Sequence, residues 1–375
     1  MRSVTEKERA GRLLNKGDLL LEKSGGGELQ PVGQVVLYQL DAPAVCSNFV
    51  ARVALKQGMC AGYWNYVHSA AYAVGVNIGS INQTSGIQNL DQDRYFNERA
   101  PFPSEGEQTA IAAFLDRETA RIDALIAEQE KLITLLAEKR QAIISNAVTK
   151  GLDPGAPTKD SGVAWLGKVP AHWRIGKIQS FARRESGHTP SRQHPEYWEN
   201  CSIPWFSLAD VWQIRDGKAK YVYDTKEKIS ELGVANSSAR LLPAGTVILS
   251  RTASVGYSAI MGCDMATTQD FINWVCGPKL MPDFLLHVLR GMRPEFDRLM
   301  MGSTHQTIYM PDVAKLLMAL PPLHEQEELV DFIERKVADL DALQTESERA
   351  AALLKERRSA LIAAAVTGQV DVRGD

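Results

Sequence analysis

The chain has 375 residues, of which 45% are hydrophobic and 23% charged, an ordinary globular composition with room for two or three domains. It has no run of 18 apolar residues and no apolar stretch near its start, so neither a membrane span nor a signal peptide is predicted. Five scattered cysteines without metal-binding spacing predict reduced thiols and a cytoplasmic location. The net charge of −3 does not by itself indicate a nucleic-acid binder.

The first 103 residues are predicted to form a small mixed α/β domain. Short strands that begin at glycines are expected at 17–21 and 33–38, and a helix is expected at 64–72. This domain is followed by a helix-forming stretch at 104–150 that lacks any internal glycine-rich or proline-rich break.

The stretch 104–150 returns later in the chain as a second predicted helix at 321–368. When 103–153 is aligned with 321–371, 21 of 51 positions are identical. Neither helix can bury its apolar stripe alone, and the economical partner of each is its own repeat. Because the intervening residues must return the chain to the far end of the first helix, we expect an antiparallel coiled coil.

The apolar stripe of each helix follows alternating steps of four and three, which predicts a heptad seam. Ser104 and Glu107 have the spacing of a capping box that opens the first helix, and Gly151 and Gly368 stand where each helix should end. The predicted seam residues are Ile111, Leu115, Ile122, Leu125, Leu132, Leu136 and Ile143, and then Leu329, Ile333, Leu340, Leu343, Ala350, Leu354 and Leu361.

A turn-rich connector at 151–162 leads into a second globular domain at 163–320, and a short tail follows at 369–375. Strands are expected in this domain at 246–249, 257–261 and 271–275, and a helix at 283–290. The domain contains 18 Lys and Arg against 14 Asp and Glu, a net charge of +4, whereas both long helices are acidic. This distribution suits a domain that faces DNA, although a difference of this size also occurs by chance.

The two globular stretches resemble each other, which indicates a tandem duplication. Gly17–Leu21 parallels Gly245–Leu249, and Ser47–Phe49 parallels Gln269–Phe271. About 80 residues of the second domain precede its matching strand, but only 16 precede the strand of the first. We therefore expect the first domain to lack about 65 residues of its twin, through truncation or a start placed inside the reading frame, and to be less stable.

Several loops are rich in the side chains that contact DNA, because base edges need short polar or bidentate groups and phosphates need Arg, Lys or hydroxyls. Ordinary solvated loops have a similar composition, so only convergence on one face would make a site. The candidate DNA-binding residues are Arg183, Arg184, Thr189, Ser191, Arg192, Ser250, Arg251, Thr252, Thr268, Gln269, Ser303, Thr304, His305, Gln306 and Tyr309, with Lys23, Asn48, Asn82 and Gln83 in the first domain.

Four motifs together resemble a known family. They are Trp165–Trp173, Leu249–Gly256, Gly302–Thr304, and Leu320–Gln326 followed by a long helix ending at Arg358. The chain is similar, over nearly its whole length, to the DNA-specificity subunit of a Type I restriction–modification enzyme. The resemblance implies an α+β fold with two mixed α/β target-recognition domains separated by the two long helices.

The resemblance also implies how such a subunit works. Each domain would read one half of a split target in double-stranded DNA, and the helices would set the spacing. Methyltransferase (modification) subunits and a restriction/translocase subunit would be the partners and would use S-adenosylmethionine, ATP and Mg²⁺, while this chain would bind no cofactor and no metal. Pairing of two copies through their acidic helices is a further interaction to test.

Two other functions remain open at the level of sequence. One is a coiled-coil structural or interaction protein without DNA specificity, and the other is a stand-alone nuclease or methylase with an unrecognised site. The sequence contains no methylase box, no nuclease signature and no P-loop with its magnesium-binding hydroxyl, which favours a subunit that is not an enzyme. Sequence-selective duplex binding would exclude the first alternative, and absence of methyl transfer by the pure chain would exclude the second.

Overall fold

A computed structural model of the protein describes residues 9, 11–42, 44–84, 86–300 and 307–372. The chain forms two compact units, a first unit of Met1–Ile133 with Thr345–Asp375 and a second unit of Thr134–Gln344. The described helices are α1 (Ala61–Ala73), α2 (Gln92–Phe96), α3 (Glu105–Lys150), α4 (Glu231–Ala235), α5 (Pro282–Gly291), α6 (Arg293–Met300), α7 (Met310–Val313) and α8 (Leu323–Val366). Across the described ranges, no helix has the length and hydropathy needed to cross a bilayer.

The strands of the first unit are short and lie before α3. They are β1 (Leu13–Leu14), β2 (Leu19–Glu22), β3 (Ser24–Gly25), β4 (Val35–Leu37), β5 (Ala44–Val45), β6 (Val50–Val53), β7 (Ile81–Thr84) and β8 (Ile87–Leu90). The strands of the second unit are β9 (Thr158–Asp160), β10 (Lys168–Pro170), β11 (Arg174–Lys177), β12 (Ala182–Ser186), β13 (Ile203–Phe206), β14 (Tyr221–Val222), β15 (Lys228–Ile229), β16 (Val247–Ser250), β17 (Ser258–Met261), β18 (Ala266–Thr267), β19 (Phe271–Cys276) and β20 (Leu317–Leu320).

The two long helices are confirmed, with 46 residues in α3 and 44 in α8. The predicted capping box is present, because the Ser104 N–H donates to Glu107 Oε2 at 3.1 Å and the Glu107 N–H to Ser104 Oγ at 3.4 Å. Gly151 and Gly368 follow the helices with φ values of 72° and 73°, which are left-handed conformations that favour glycine. The capping box and the two glycines predicted from the sequence are therefore confirmed.

Ion pairs show that the helices run antiparallel. In the first unit, Arg358 Nε lies 2.7 Å from Asp123 Oδ1, and Lys355 Nζ lies 3.1 Å from Glu130 Oε1. The partner of Asp123 is therefore Arg358, and the partner of the later Glu130 is the earlier Lys355, as expected of two antiparallel helices.

The division of the chain into six sequence segments stays a prediction.

The predicted heptad seam is wrong in the middle of both helices. Leu125, Leu132 and Leu343 are 47%, 41% and 55% exposed, while Ile126, one residue after Leu125, is buried. A straight α-helix has 3.6 residues per turn, so a fixed repeat of 3.5 drifts by about 20° per heptad away from the buried face. A seam predicted with the strict 3.5-residue repeat therefore includes residues that lie on the solvent side of the helices.

The second unit is organised around a five-stranded sheet with the order β12-β19-β16-β17-β14. One face packs on α5 and forms a large core that includes Trp173, Trp274 and Phe284, and the other face forms a second core around Phe206 and Phe271. The strands predicted at 246–249, 257–261 and 271–275 are β16, β17 and β19, each displaced by at most one residue, and the predicted helix at 283–290 is α5.

Strand β11 joins the second unit to the start of α8. It pairs antiparallel with β20, which ends just before the helix. Trp173, immediately before β11, is 1% exposed, and its indole N–H donates to Glu325 Oε2 at 2.7 Å. Trp165 is partly buried against the same core, and its indole N–H donates to Leu317 O. Both tryptophans are therefore core residues and not base-stacking groups.

The first unit repeats the central strands of the second in the same register. In the first unit Leu19 on β2 faces Leu37 on β4 and Val53 on β6. In the second unit Val247 on β16 faces Ile260 on β17 and Trp274 on β19. The tandem duplication inferred from the sequence is thus visible in strand pairing.

We predict that the sheet region of the first unit opens more easily than that of the second. Its central sheet has three strands, β4-β2-β6, and its core around Leu21 and Val32 is small, whereas the central sheet of the second unit has five strands with a core on each face. Hydrogen exchange of the full chain should show faster exchange in 19–53 than in 247–276, because fewer buried apolar groups resist local opening. Equal protection of the two ranges would contradict this prediction.

We also predict that mild acid destabilises the first unit through His68. Burial lowers the pKa of His68 from 6.5 to about 4, so the unfolded chain takes up a proton before the folded chain does. Stability from this site is therefore present above pH 6.5 and falls as the pH drops towards 4, with a loss of about 2 kcal/mol by pH 5. Exchange of the α1 amides at pH 7 and pH 5 measures the loss.

The matched control is His68→Leu, since leucine is the residue that the second unit has at the equivalent position, Leu289. In that variant the protection factors of the α1 amides should fall less between pH 7 and pH 5. An unchanged fall in protection would assign the pH effect to another group.

Candidate nucleic-acid interface

Three loops of the second unit that are far apart in sequence meet through side-chain hydrogen bonds. Thr189 Oγ1 donates to Gln269 Oε1 at 2.9 Å. Arg251 Nε donates to the backbone oxygen of the same Gln269 at 3.0 Å. Three predicted DNA-binding residues from three separate loops are therefore neighbours, and we call Thr189, Arg251 and Gln269 the polar triad.

Backbone hydrogen bonds fix the loops that carry the polar triad. The His188 N–H donates to Thr267 O at 3.0 Å, and the Arg251 N–H donates to Asp270 O at 2.9 Å. A fourth segment joins them, because the Ile308 N–H donates to Arg251 O at 2.9 Å. The triad is thus held on a hydrogen-bonded frame whose geometry does not depend on a ligand.

Tyr309 follows the fourth segment and is 57% exposed. The bridge between Thr252 and Thr307 places the turn after β16 beside this segment, and Thr252 is half-buried there. The predicted residues Ser303, Thr304, His305 and Gln306 lie outside the described residues.

Gly187 is the closest contact between two of these loops, and the sequence analysis missed it. A Cβ atom at this position would lie 2.2 Å from Thr267 O, from Thr267 Oγ1 and from Thr268 O. No side chain fits at such distances, so the approach of the two loops requires glycine. The only sequence signal was a glycine directly after a strand, which is common in loops of every kind.

Arg192 is oriented by an aromatic ring and a carboxylate. Its guanidinium carbon lies 3.6 Å from the ring centroid of Trp198, and its Nη2 lies 2.6 Å from Glu227 Oε2. The Trp198 indole N–H in turn donates to the backbone oxygen of Ser191, which is exposed. Stacking and pairing restrict Arg192 while leaving it accessible, the state in which an arginine contacts phosphate or guanine with little loss of freedom.

Arg183 and Arg184 cannot serve the same surface, contrary to their joint prediction. Side chains alternate between the two faces of a strand, and both residues lie on β12. Arg184 pairs with Trp274, whose side chain belongs to the helix-packed core, so Arg184 lies on that face. Arg183 lies on the opposite face, where its Nη1 is 3.0 Å from Glu185 Oε1.

Two predicted hydroxyl residues prove to be structural. Ser250 is fully buried, and its hydroxyl donates to Thr252 O at 3.4 Å. Thr268 is also buried, and its hydroxyl donates to Asp270 Oδ2 at 3.0 Å. Both stabilise the turns that carry the polar triad and neither presents its side chain at the surface, because strand ends with small hydroxyls tend to bond back to the local backbone.

The first unit has the same frame beneath its own candidate residues. The Lys23 N–H donates to Phe49 O at 2.9 Å, and the Leu90 N–H donates to Lys23 O at 2.9 Å, which repeats the two bonds of Arg251. Lys23 is half-buried and Asn48 is exposed. Asn82 and Gln83 are exposed on β7, so the structure leaves their side chains accessible but shows no contact between them and Lys23.

The chemistry of the second-unit surface is that of recognition. Arginine and glutamine offer the paired donors and acceptors that read base edges, and threonine hydroxyls suit phosphates. Within the described part of the chain, no three His, Cys, Asp or Glu side chains are grouped to hold a metal ion.

The segment that carries the polar triad also matches known proteins. A model of the family described as "Type I restriction modification DNA specificity domain" matches residues 170–350. The MjaIX specificity subunit of Methanocaldococcus jannaschii is 27% identical over 182 residues, which are 46% of this chain and 41% of that protein. The StySPI specificity subunit of Salmonella potsdam is 22% identical over 78% of this chain and 62% of its own length.

The chain is thus similar to Type I restriction–modification specificity subunits, and its residues 170–350 match the family's DNA specificity domain. It spans less than two thirds of the length of these curated relatives. The fold of solved structures from such systems extends over 96% of the chain. A chain from a structure on complex assembly and conformational transition of the type I R-M system superposes with a TM-score of 0.67, at 20% identity, over 96% of this chain and 83% of that chain. The HsdS subunit of Thermoanaerobacter tengcongensis superposes with a TM-score of 0.53, at 18% identity, over 96% and 82%.

Proposed function

We propose that this specificity subunit reads duplex DNA without catalysing a reaction, and that the polar triad of the second unit lies at the centre of the contact. The observation that carries the proposal is the convergence of Thr189, Arg251 and Gln269 from three loops onto one hydrogen-bonded frame. Arg192 and Arg183 add cations to the same domain, whose net charge is +4. Phosphate contacts by these arginines would position the domain, and the triad would read base edges.

The first unit is proposed to read the other half of a bipartite target. Its support is the repeated frame around Lys23. The strand pairing puts Asn48 in the place of Gln269, one residue away from the alignment of the sequence. The two antiparallel helices would then set the distance between the half-sites. Both statements extend the family's mode of recognition to residues that differ in identity from those of the second unit.

The partners are proposed to be modification subunits and a restriction/translocase subunit, which would bring S-adenosylmethionine, ATP and Mg²⁺. The long helices offer apolar contacts for such subunits, because Leu125, Leu132, Leu135, Leu343 and Leu353 are all more than 40% exposed. Soluble proteins rarely leave several large apolar side chains in water unless a partner covers them. The five free cysteines suit a reducing cytoplasm, where we propose that the complex acts.

We predict that Arg251→Ala weakens binding to the preferred duplex by about 1–3 kcal/mol and relaxes one position of the target. The reason is the place of Arg251 in the polar triad, where its Nε bond to Gln269 O orients the guanidinium. Fluorescence anisotropy with the preferred duplex and with single-position variants of it measures both effects. The control is Lys168→Ala, an exposed cation on β10 outside the triad loops, which should leave selectivity unchanged. An equal loss on every sequence would make Arg251 a phosphate contact and would refute its role in base reading.

A further inference from the structure

The first unit contains an apolar groove of about 650 Å³ beside α1 and the segment before α3. We call it the acceptor groove, and it is lined among others by Leu55, Trp64, His68, Ala71, Phe102 and Val366, all of which belong to the first unit. The DNA-reading surface described above does not use it. The internal repeat of the chain shows what occupies the same place in the second unit.

Two glutamines align the repeats at atomic level. The Cys60 N–H donates to Gln108 Oε1 at 2.9 Å, and the Met281 N–H donates to Gln326 Oε1 at 2.9 Å. Helix α1 therefore stands where α5 stands in the second unit, which puts Trp64 in the place of Leu285 and His68 in the place of Leu289. By the same repeat, residues 99–102 take the place of strand β20.

In the second unit this place is filled by the segment around β11. Leu285 and Leu289 are fully buried, and Leu320 at the end of β20 is 5% exposed. Trp173 and Ile178, from either end of β11, pack into the same core. The occupant of the second unit is thus a strand with apolar side chains and one tryptophan.

In the first unit the corresponding surfaces are open. Phe102, the counterpart of Leu320, is 64% exposed. The Trp64 indole nitrogen is buried and has no acceptor among the residues that the structure describes. No described strand pairs with 99–102. The Pro101 carbonyl accepts from the Tyr63 hydroxyl at 3.0 Å, so the positions left for a neighbouring strand are Ala100 and Phe102.

The hydrogen-bond pattern of the second unit defines the expected register. The Ile178 N–H donates to Leu316 O at 3.0 Å, so every second pair along β11 and β20 is hydrogen-bonded, including Gly176 with Met318. Met318 corresponds to Ala100, whose N–H would bond to an incoming strand. Pro101 falls at the alternate position, where the N–H that proline lacks would point away from the partner.

We propose that the acceptor groove binds, by β-strand addition, an extended segment of a separate polypeptide that carries a tryptophan followed by apolar residues in the spacing of Trp173, Ile175 and Ile178. Main-chain bonds to 99–102 give affinity, and the alternate side chains give specificity by filling the groove. The tryptophan is seated beside Glu107, which stands where Glu325 accepts the Trp173 N–H in the second unit. This interaction does not depend on DNA reading by the second unit.

The probe is a synthetic peptide with the sequence of residues 163–182, labelled with a fluorophore at its N-terminus and titrated with the full chain. We expect one peptide bound per chain, and hydrogen exchange should show new protection in 98–103. A peptide with Trp173→Ala should bind at least about 30-fold more weakly, because a buried tryptophan dominates such an interface.

Two matched variants test strand addition itself. Ala100→Pro removes an N–H from a hydrogen-bonded position and should weaken binding about 3- to 10-fold, whereas Arg99→Pro removes one from the alternate position and should not. Ala71→Phe fills the groove and should abolish binding.

Three results would overturn the proposal. They are the same affinity for Ala71→Phe as for the unmodified chain, equal effects of Ala100→Pro and Arg99→Pro, and protection that appears at 317–320 of the second unit instead of 98–103. Failure to bind at about 1 mM peptide would overturn it as well. A dimer of the free chain that Ala71→Phe dissociates would assign the groove to a second copy and would also refute it.

Discussion

Replacing Gly187 by alanine is expected to destabilise the second unit by about 2–4 kcal/mol and to lower affinity for the preferred duplex at least 10-fold. The added Cβ would lie 2.2 Å from two backbone oxygens and one hydroxyl of Thr267 and Thr268, so these groups must move apart. The movement breaks the bond from the His188 N–H to Thr267 O and carries Thr189 away from Gln269. Unfolding by urea and anisotropy with duplex DNA measure the two effects.

The control for this variant is Ser186→Ala, which changes the exposed neighbour and adds no atom between the loops. It should keep both stability and affinity within a factor of about two. If Gly187→Ala loses stability but keeps its affinity and selectivity, the polar triad does not form the DNA contact. If Gly187→Ala loses neither stability nor affinity, the two loops are too far apart for the added Cβ to clash with Thr267 and Thr268.

Replacing Gln326, in the first turn of α8, by leucine is expected to cost the second unit about 3–5 kcal/mol. The fully buried amide accepts from the Met281 N–H at 2.9 Å and donates to Lys279 O and Pro321 O, both at 2.9 Å. Leucine has a similar size but leaves three backbone groups without their partner, the buried Pro321 O and the partly buried Met281 N–H and Lys279 O. Those groups join the start of α5 to the start of α8, so both helices should lose protection against hydrogen exchange.

Gln108 provides a matched test in the first unit. It bonds to the Cys60 N–H, to Pro103 O at 2.9 Å and to Gly58 O at 3.3 Å, so Gln108→Leu should destabilise α1 and leave α5 protected. Glu327→Ala, an exposed change one residue after Gln326, should have little effect on either. A loss that spreads equally to both units from either glutamine would show that the chain unfolds as one cooperative block.

Much of the fold could be predicted because its signals are local. The capping box at Ser104, the glycine after each long helix and the strand of apolar residues at 246–249 each depend on a few neighbouring residues. The repeat of Pro103–Asp153 added what local signals lack, a partner for each helix. Two similar apolar stripes can be buried against one another, and for this reason the repeat predicts the pairing of the two long helices.

The wrong predictions concern the side of a helix or strand on which a side chain lies, which depends on the geometry of the whole element. A seam through Leu125 and Leu132 fits a 3.5-residue repeat, but the small difference from 3.6 adds up along a helix of 46 residues. Arg183 and Arg184 were grouped because they are adjacent, whereas adjacency in a strand places side chains on opposite faces. Strand pairing with Trp274 decided the face of Arg184, and pairing is not readable from the loop composition.

The candidate site was predicted in part for the same reason. Thr189, Arg251 and Gln269 were chosen for their chemistry, and only the fold brings their loops together. Ser250 was chosen on the same grounds, but it is the last residue of β16 and is enclosed by the sheet. Gly187 could not be chosen by chemistry, because its contribution is the absence of a side chain.

The central claim, that the second unit reads sequence in duplex DNA through the polar triad, is tested most directly by selection from a random duplex library. The pure chain, the Arg251→Ala variant and the Ser186→Ala control would each be incubated with the library, and the bound duplexes sequenced. We expect the unmodified chain and the control to enrich a motif that contains the half-site read by the second unit, and Arg251→Ala to enrich the same half-site with one relaxed position. Enrichment of no sequence, or of an identical motif with all three proteins, would contradict it.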